Sequence, residues 1–315
     1  MYILGIDIGG TKCAVISAEW KNEQITILKK DKCVTDHSIG AIQMLDLIFK
    51  MADGILERTP DAIGISCGGP LDSARGVIMS PPNLPGWDNI EIVKLAEEHF
   101  NAPTKLQNDA NACAVAEWKF GAGRGYKNIV FLTFGTGLGA GLILNGALYS
   151  GTNGNAGEVG HLRLAPDGPV GYGKIGSFEG FCSGGGIAQL GYSMAIESKK
   201  SGIHPSYFED GMSKEDISAR SISEAALSGD ATAIEVYRTS GRYLGRGLSI
   251  LIDILNPERI IIGSIFSRCQ SLLWDAAKSE IEAEALTNAV SCCRVVTSEL
   301  GESIGDYAAV ATALL

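Results

Sequence analysis

The chain has 315 residues, 45% hydrophobic and 20% charged, a composition that excludes a disordered or fibrous protein and allows a sizeable folded core. A net charge of −10 argues against nucleic acid as the main partner but leaves phosphate ligands open, because backbone N–H groups hold phosphate without basic side chains. The eight cysteines include no CxxC pair, MYILGIDIGG lacks the pattern of a signal peptide, and no apolar run reaches membrane-spanning length; the expectation is a cytoplasmic protein with reduced thiols and no membrane partner.

In chain order, YILGIDIG is an apolar, β-branched run that meets GGTK and continues as CAVIS, which predicts strand, glycine turn, strand. A helix is expected over 38–57, a strand over 61–66 and a second helix over 89–100. NIVFLTFGTGLGAGLILNGALY (128–149) then repeats the strand–turn–strand pattern. Setting Gly9 on Gly135 places Asp7 on Thr133, so a duplicated core with one hairpin in each half is expected. After residue 180 the spacing turns helical, over 186–200, over 221–256 as one long segment, and over 272–286. A strand over 259–263 follows the turn signal Asn256-Pro257, and DYAAVATALL predicts a final helix. Alternating strands and helices make the fold class α/β, with two halves.

Two segments imitate a phosphate-binding P-loop, GIDIGGTK (5–12) and GPVGYGKI (168–175). Neither fits, because the first runs into a strand and the second has Ile175 where a magnesium-binding hydroxyl is needed. A dinucleotide fingerprint fails too, since neither hairpin opens a helix. The glycine hairpins are read either as plain tight turns or as phosphate cradles. In the second reading Gly9, Gly10, Gly135 and Gly137 let the backbone approach the ligand. Thr11, Lys12 and Thr136 add hydroxyls and a cation, and Asp7 reaches a phosphate-bound magnesium directly or through water. In LQNDANACAVAEWKFG (106–121), Asn108 or Asp109 caps a helix, or Asp109 takes a proton from a substrate hydroxyl.

DIGGTK, GISCGGPLD, PNLPGW, NDANACAVAE, FGTGLGAGLILNG and GNAGEVGH occur in the order found in ROK-family sugar kinases, and the chain resembles that family from about Leu4 to Gly184, more weakly through NPERIIIGS. The resemblance implies a two-lobed, duplicated actin/hexokinase-like (ribonuclease H-like) fold with an interlobe cleft. Its lobes are expected at 1–117 with 302–315, and at 118–301. It implies ATP and Mg2+ as cofactors and a hexose or N-acetylhexosamine as substrate. By the same resemblance, Asp109 matches the catalytic base. Gly69, Asn83, Asn108, Asp109, Glu158, His161 and Glu179 match sugar contacts. DIGGTK and GTG match the phosphate loops, and Gly263 lies in the adenosine segment. The expected reaction is phosphorylation of the 6-OH of a glucose-like sugar, in a homodimer.

One segment departs from the family. Where relatives carry zinc-binding cysteines, this chain has Val170, Tyr172 and Ser177, and His161 alone makes no zinc site, so no zinc is expected. Tyr172 is expected to fill the space by apolar packing. His37, His99 and His204 are expected at the surface, Trp87 either packs under the sugar loop or touches sugar, and Cys67 is structural. Two other functions compete, a sugar-binding protein or sensor without kinase activity and a sugar-responsive repressor. Related repressors carry a DNA-binding domain before the first hairpin, which here starts at Tyr2.

Overall fold

The computed structural model describes residues 1–315. Strands β1 (Tyr2–Ile8), β2 (Lys12–Lys21) and β3 (Gln24–Val34) are followed by α1 (Ala41–Ile55), β4 (Ala62–Cys67), the short pair β5 (Leu71–Asp72) and β6 (Val77–Ile78), α2 (Ile92–Phe100), β7 (Thr104–Asn108) and α3 (Asp109–Phe120). Next come β8 (Ile129–Phe134), β9 (Leu138–Leu144), β10 (Ala147–Leu148), the pair β11 (Val170–Gly171) and β12 (Lys174–Ile175), and helices α4 (Phe178–Phe181), α5 (Gly184–Lys200), α6 (Ala219–Leu227) and α7 (Ala231–Leu255). The order ends with β13 (Arg259–Ile262), α8 (Ile265–Glu284), α9 (Thr287–Cys292), β14 (Arg294–Thr297) and α10 (Ile304–Thr312). The two main sheets run β3-β2-β1-β4-β7 and β10-β9-β8-β13-β14. With β1 set on β8, the two orders are the same, so the repeat seen in the hairpins extends to both sheets.

The chain forms two compact units. One comprises Met1–Phe131, Gly141–Ala156 and Glu299–Leu315, and the other Leu132–Ala140 with Gly157–Ser298. In the first, β1 pairs antiparallel with β2 and parallel with β4, and β4 pairs parallel with β7. Side chains alternate across this sheet, as the period of two in an extended chain requires. Leu4, Ile6, Cys13 and Val15 join α1 and α2 in one core, while Ile3, Ala14, Ile16 and Ala18 join α10 on the other face. Gly5 and Gly64 sit opposite each other in β1 and β4. A Cβ on Gly64 would lie 2.1 Å from the Ala309 carbonyl, and one on Gly5 2.9 Å from Val310 Cγ2. The glycine pair therefore lets α10 close on the sheet.

In the second unit the segment expected as one helix over 221–256 is two, α6 and α7. The break is Ser228-Gly229-Asp230: Gly229 takes φ +93°, which ends the first helix, and the Asp230 carboxylate caps the second by accepting the Ala233 N–H at 2.9 Å. All eight cysteines are unpaired, and no helix is long and apolar enough to cross a membrane. His99 bonds Asp53 at 2.9 Å and lies against Phe49 and Phe100, and His204 is exposed.

Candidate active site

In the first unit, β7 ends at Asn108 and α3 begins at Asp109. The Asn108 side-chain oxygen accepts the Ala110 N–H at 3.0 Å and the Asn111 N–H at 3.4 Å, so Asn108 is the helix cap. Asp109 is the first helical residue; its carboxylate is exposed and also accepts the Ala110 N–H, at 2.8 Å. The cap expected of Asn108 or Asp109 thus falls on Asn108.

Three other motifs, far apart in sequence, meet at the same end of the sheet. A Cβ on Gly69 would lie 3.3 Å from Asn108 Nδ2, and one on Gly68 3.3 Å from Asn83 Nδ2. A Cβ on Gly10 would lie 2.5 Å from the Asn83 carbonyl oxygen. Only glycine allows Gly10 so close, which seats the Asn83 loop directly on the first hairpin. Trp87 is buried in the core beneath this loop, so packing is its role. Cys67 is fully buried, and burial pushes its thiol far up, as for an inert structural cysteine.

The first hairpin is fixed from behind. The Gly9 carbonyl accepts from Thr35 Oγ1 at 2.6 Å, the Gly10 carbonyl from His37 Nε2 at 2.7 Å, and the Thr11 carbonyl from the Thr35 N–H at 3.0 Å. The Gly9 N–H closes the turn onto the Lys12 carbonyl at 3.1 Å. Thr11 and Lys12 side chains are exposed. His37 is exposed as expected, yet it bonds the loop; its local sequence, VTDHS, gives no sign of a contact made 27 residues away. Asp7, at the end of β1, is partly buried. Burial, then the Asp109 and Asp306 carboxylates, push its carboxyl up to about 7, against the opposing pull of Lys12 and Lys30. Asp306 is itself paired with Lys30 at 2.6 Å.

In the second unit, the hairpin at Gly135–Gly137 closes through the Gly135 N–H on the Gly137 carbonyl at 3.1 Å. Gly135 in turn accepts from the Gly184 N–H at 2.8 Å, and Thr136 is exposed. Glu179, on α4, accepts the Leu138 N–H at 2.9 Å, and the same oxygen lies 2.8 Å from where a Gly137 Cβ would be. The GNAGEVGH loop docks on β9 through two glycines: a Cβ on Gly157 would lie 2.1 Å from the Ala140 carbonyl and one on Gly160 2.3 Å from that of Leu138. This places Glu158 and His161, both exposed, at either end of a single 3-10 turn near Glu179. Buried Gly263 donates to the Leu132 carbonyl at 3.1 Å. Just beyond it, Ile265, Arg268 and Cys269 of α8 join Ser223, Leu227 and Tyr237 around a cavity of about 500 Å³, a feature not foreseen from the sequence.

The residues at the expected zinc positions do not fit that ion. Val170 has no donor side chain. Ser177 Oγ is buried, accepting the Gly180 N–H at 3.0 Å and donating to the Gly171 carbonyl at 3.4 Å. Tyr172 does not fill the space as expected: it is 71% exposed, with its ring 5.3 Å from that of His161. Backbone bonding holds the loop instead, with β11 paired to β12 and the Gln189 amide bridging both the N–H and the carbonyl of Val170.

Two sheets of one strand order, each with a glycine hairpin, define an actin-like ATPase fold. The model of the ROK family matches residues 3–314, and the chain belongs to that family. It is 32% identical over 312 residues to a glucokinase of Halalkalibacterium halodurans, covering 96% of this chain and 92% of that one. The crystal structure of a ROK family glucokinase from Streptomyces griseus, in complex with glucose and AMPPNP, matches with a TM-score of 0.79 and 30% identity, over 100% of this chain and 99% of that one. The DNA-binding transcriptional dual regulator NagC of Escherichia coli is 30% identical over 276 residues, covering 86% of this chain and 66% of the regulator.

Proposed function

We propose that this ATP-dependent sugar kinase phosphorylates the 6-hydroxyl of a glucose-like hexose or N-acetylhexosamine, with Asp109 as general base. The observation that carries this is the division of labour at the start of α3. Asn108 does the capping, and the exposed Asp109 carboxylate follows it directly, with Gly69 against the Asn108 amide, Gly68 against that of Asn83, and Asp7 close enough to feel the Asp109 charge. Asparagine side chains both donate to and accept from sugar hydroxyls, which suits them to hold the sugar while the carboxylate takes its proton. As Asp109 accepts that proton, the hydroxyl oxygen attacks the terminal phosphorus and ADP leaves. Glu158, His161 and Glu179 are further sugar contacts in this reading.

The hairpins Gly9–Lys12 and Gly135–Gly137 hold the phosphates. In the first, the carbonyls are turned to Thr35 and His37, while the N–H groups of Gly10 and Thr11 make no hydrogen bond within the chain and are suited to phosphate oxygens. Gly263 and the α6–α7–α8 cavity beside it take the adenosine. Magnesium, when bound with the nucleotide, would neutralise phosphate charge. Asp7 would hold it directly or through water, since a carboxyl raised by burial and two neighbouring carboxylates is one that a cation relieves. A cytoplasmic homodimer without zinc and without nucleic-acid or membrane partners belongs to the same proposal, supported by unpaired cysteines and acidic charge.

The test is ADP release across a panel of hexoses and N-acetylhexosamines, on wild type and Asp109→Asn, with sugar binding measured alongside. Turnover should fall by about two to four orders of magnitude in the variant while sugar still binds. Equal turnover would remove Asp109 as base. Sugar binding without turnover in the wild type would identify a sensor in place of an enzyme.

A further inference from the structure

The turn of the β11–β12 hairpin consists of Tyr172 and Gly173, with φ of +43° and +76°. Two consecutive left-handed residues are the geometry that two-residue hairpins favour, and the first place normally goes to Asn, Asp or Gly. A tyrosine there is held in a conformation that bulky side chains avoid. Burial does not explain it, because the residue is 71% exposed. What the ring does touch is His161: the centroids are 5.3 Å apart and the planes 83° from parallel, the edge-to-face geometry that aromatic pairs prefer. Two residues on, the Lys174 ammonium donates to the backbone carbonyl of the same histidine at 2.6 Å. One small hairpin thus grips His161 twice, at its ring and at its main chain.

We propose that Tyr172 is a positioning residue, whose ring fixes the orientation of the His161 imidazole and so sets the affinity for sugar. The proposal rests on the reading of His161 as a sugar contact. An exposed histidine has several orientations open to it, and ordering them on binding weakens affinity; a ring already held edgewise avoids that loss. The strained turn is thereby explained as a cost of holding the ligand-facing side chain rather than of building the loop.

The test uses the full-length enzyme and the panel sugar with the greatest turnover. The variants are Tyr172→Asn, Tyr172→Phe, His161→Ala, and the double variant that combines Tyr172→Asn with His161→Ala. Asparagine suits the left-handed turn, so removing the ring this way spares the fold. Tyr172→Asn should raise the sugar KM about twofold to tenfold, leaving kcat and the ATP KM within about twofold of wild type. Its thermal midpoint should be equal or higher. Tyr172→Phe keeps the ring and should keep the wild-type sugar KM. On top of His161→Ala, the Tyr172→Asn change should have no further effect, because the ring acts through the histidine. If His161→Ala raises the sugar KM and Tyr172→Asn does not, the inference fails and the reading of His161 stands. If His161→Ala leaves the sugar KM unchanged, both fail. A Tyr172→Asn effect of equal size in both backgrounds, or one accompanied by a lower thermal midpoint and a changed ATP KM, also overturns the inference.

Discussion

In the hairpin at Gly9–Lys12, three consecutive carbonyls are held by Thr35 and His37, whereas at Gly135–Gly137 the Gly135 carbonyl is held by the Gly184 N–H and the next strand by the Glu179 carboxylate. The residues before the turns differ as well. Asp7 is a partly buried carboxyl raised to about 7, while Thr133, its counterpart in the repeat, uses its hydroxyl to tie down the Gly139 N–H at 3.0 Å. The repeat has therefore kept the path of strand, glycine turn and strand, closed one residue tighter in the second copy, and let the side chains around it diverge. A shape made of glycine N–H groups can bind phosphate wherever it occurs, and the neighbours decide what else each copy does.

The largest expected effect separates the hairpins by what their glycines touch. A Cβ on Gly10 meets the Asn83 main chain at 2.5 Å, which cannot yield cheaply; a Cβ on Gly137 meets only the end of the Glu179 side chain, at 2.8 Å. Gly10→Ala should lower kcat/KM by about a hundredfold or more, as expected of a misplacement near 1 Å, and Gly137→Ala should cost distinctly less. Equal losses would show that the two turns are braced alike.

The next effect concerns Asp7 against Thr133. Because burial raises the Asp7 carboxyl, its ionised form is the costly one in the fold, and the folded state holds its proton more tightly than the unfolded chain does. Stability without nucleotide should therefore fall as pH rises from about 4 to about 7, and level off above. Asp7→Asn should abolish that fall and raise the melting temperature by several degrees near pH 8, while Thr133→Val should leave the pH slope untouched. Parallel melting curves for wild type and Asp7→Asn between pH 4 and 8 would refute this.

The smallest effect probes the brace itself. Thr35→Val keeps the shape but withdraws the hydroxyl from the Gly9 carbonyl, a loss worth about 1 kcal/mol. The ATP KM should rise about fivefold with the sugar KM unchanged. A shift in the sugar KM alone would mean that this hairpin does not serve the nucleotide.

Much of this was legible in the sequence because glycine leaves a local mark. The two hairpins and their repeat trace to glycines whose backbone freedom can be read directly, while the meeting of the Gly10, Gly68 and Asn83 loops is a tertiary contact that no local pattern shows. The break between α6 and α7 was also readable, since Ser228-Gly229-Asp230 is a stop followed by a cap, but helical spacing on both sides masked it. β3 escaped because it is an edge strand whose KKDK run faces solvent, leaving only Ile25 and Ile27 to show an alternation. His37 and Tyr172 were hidden for a different reason. Each acts on a residue distant in sequence, Gly10 and His161, and no local pattern encodes a contact that tertiary folding alone creates. The cavity beside Gly263 is of the same kind, assembled from three helices.

The closure of α10 on Gly5 and Gly64 has a consequence for biosynthesis. β1 and β2 leave the ribosome well ahead of the helix that covers Ile3, Ile16 and Ala18, which emerges only after the whole of the second compact unit has been made. Through that interval one side of the nascent sheet lacks its cover, and it invites chaperones or neighbouring chains to occupy the surface. Cutting the chain before residue 304 would make that transient state permanent, and such a product should collect in aggregates.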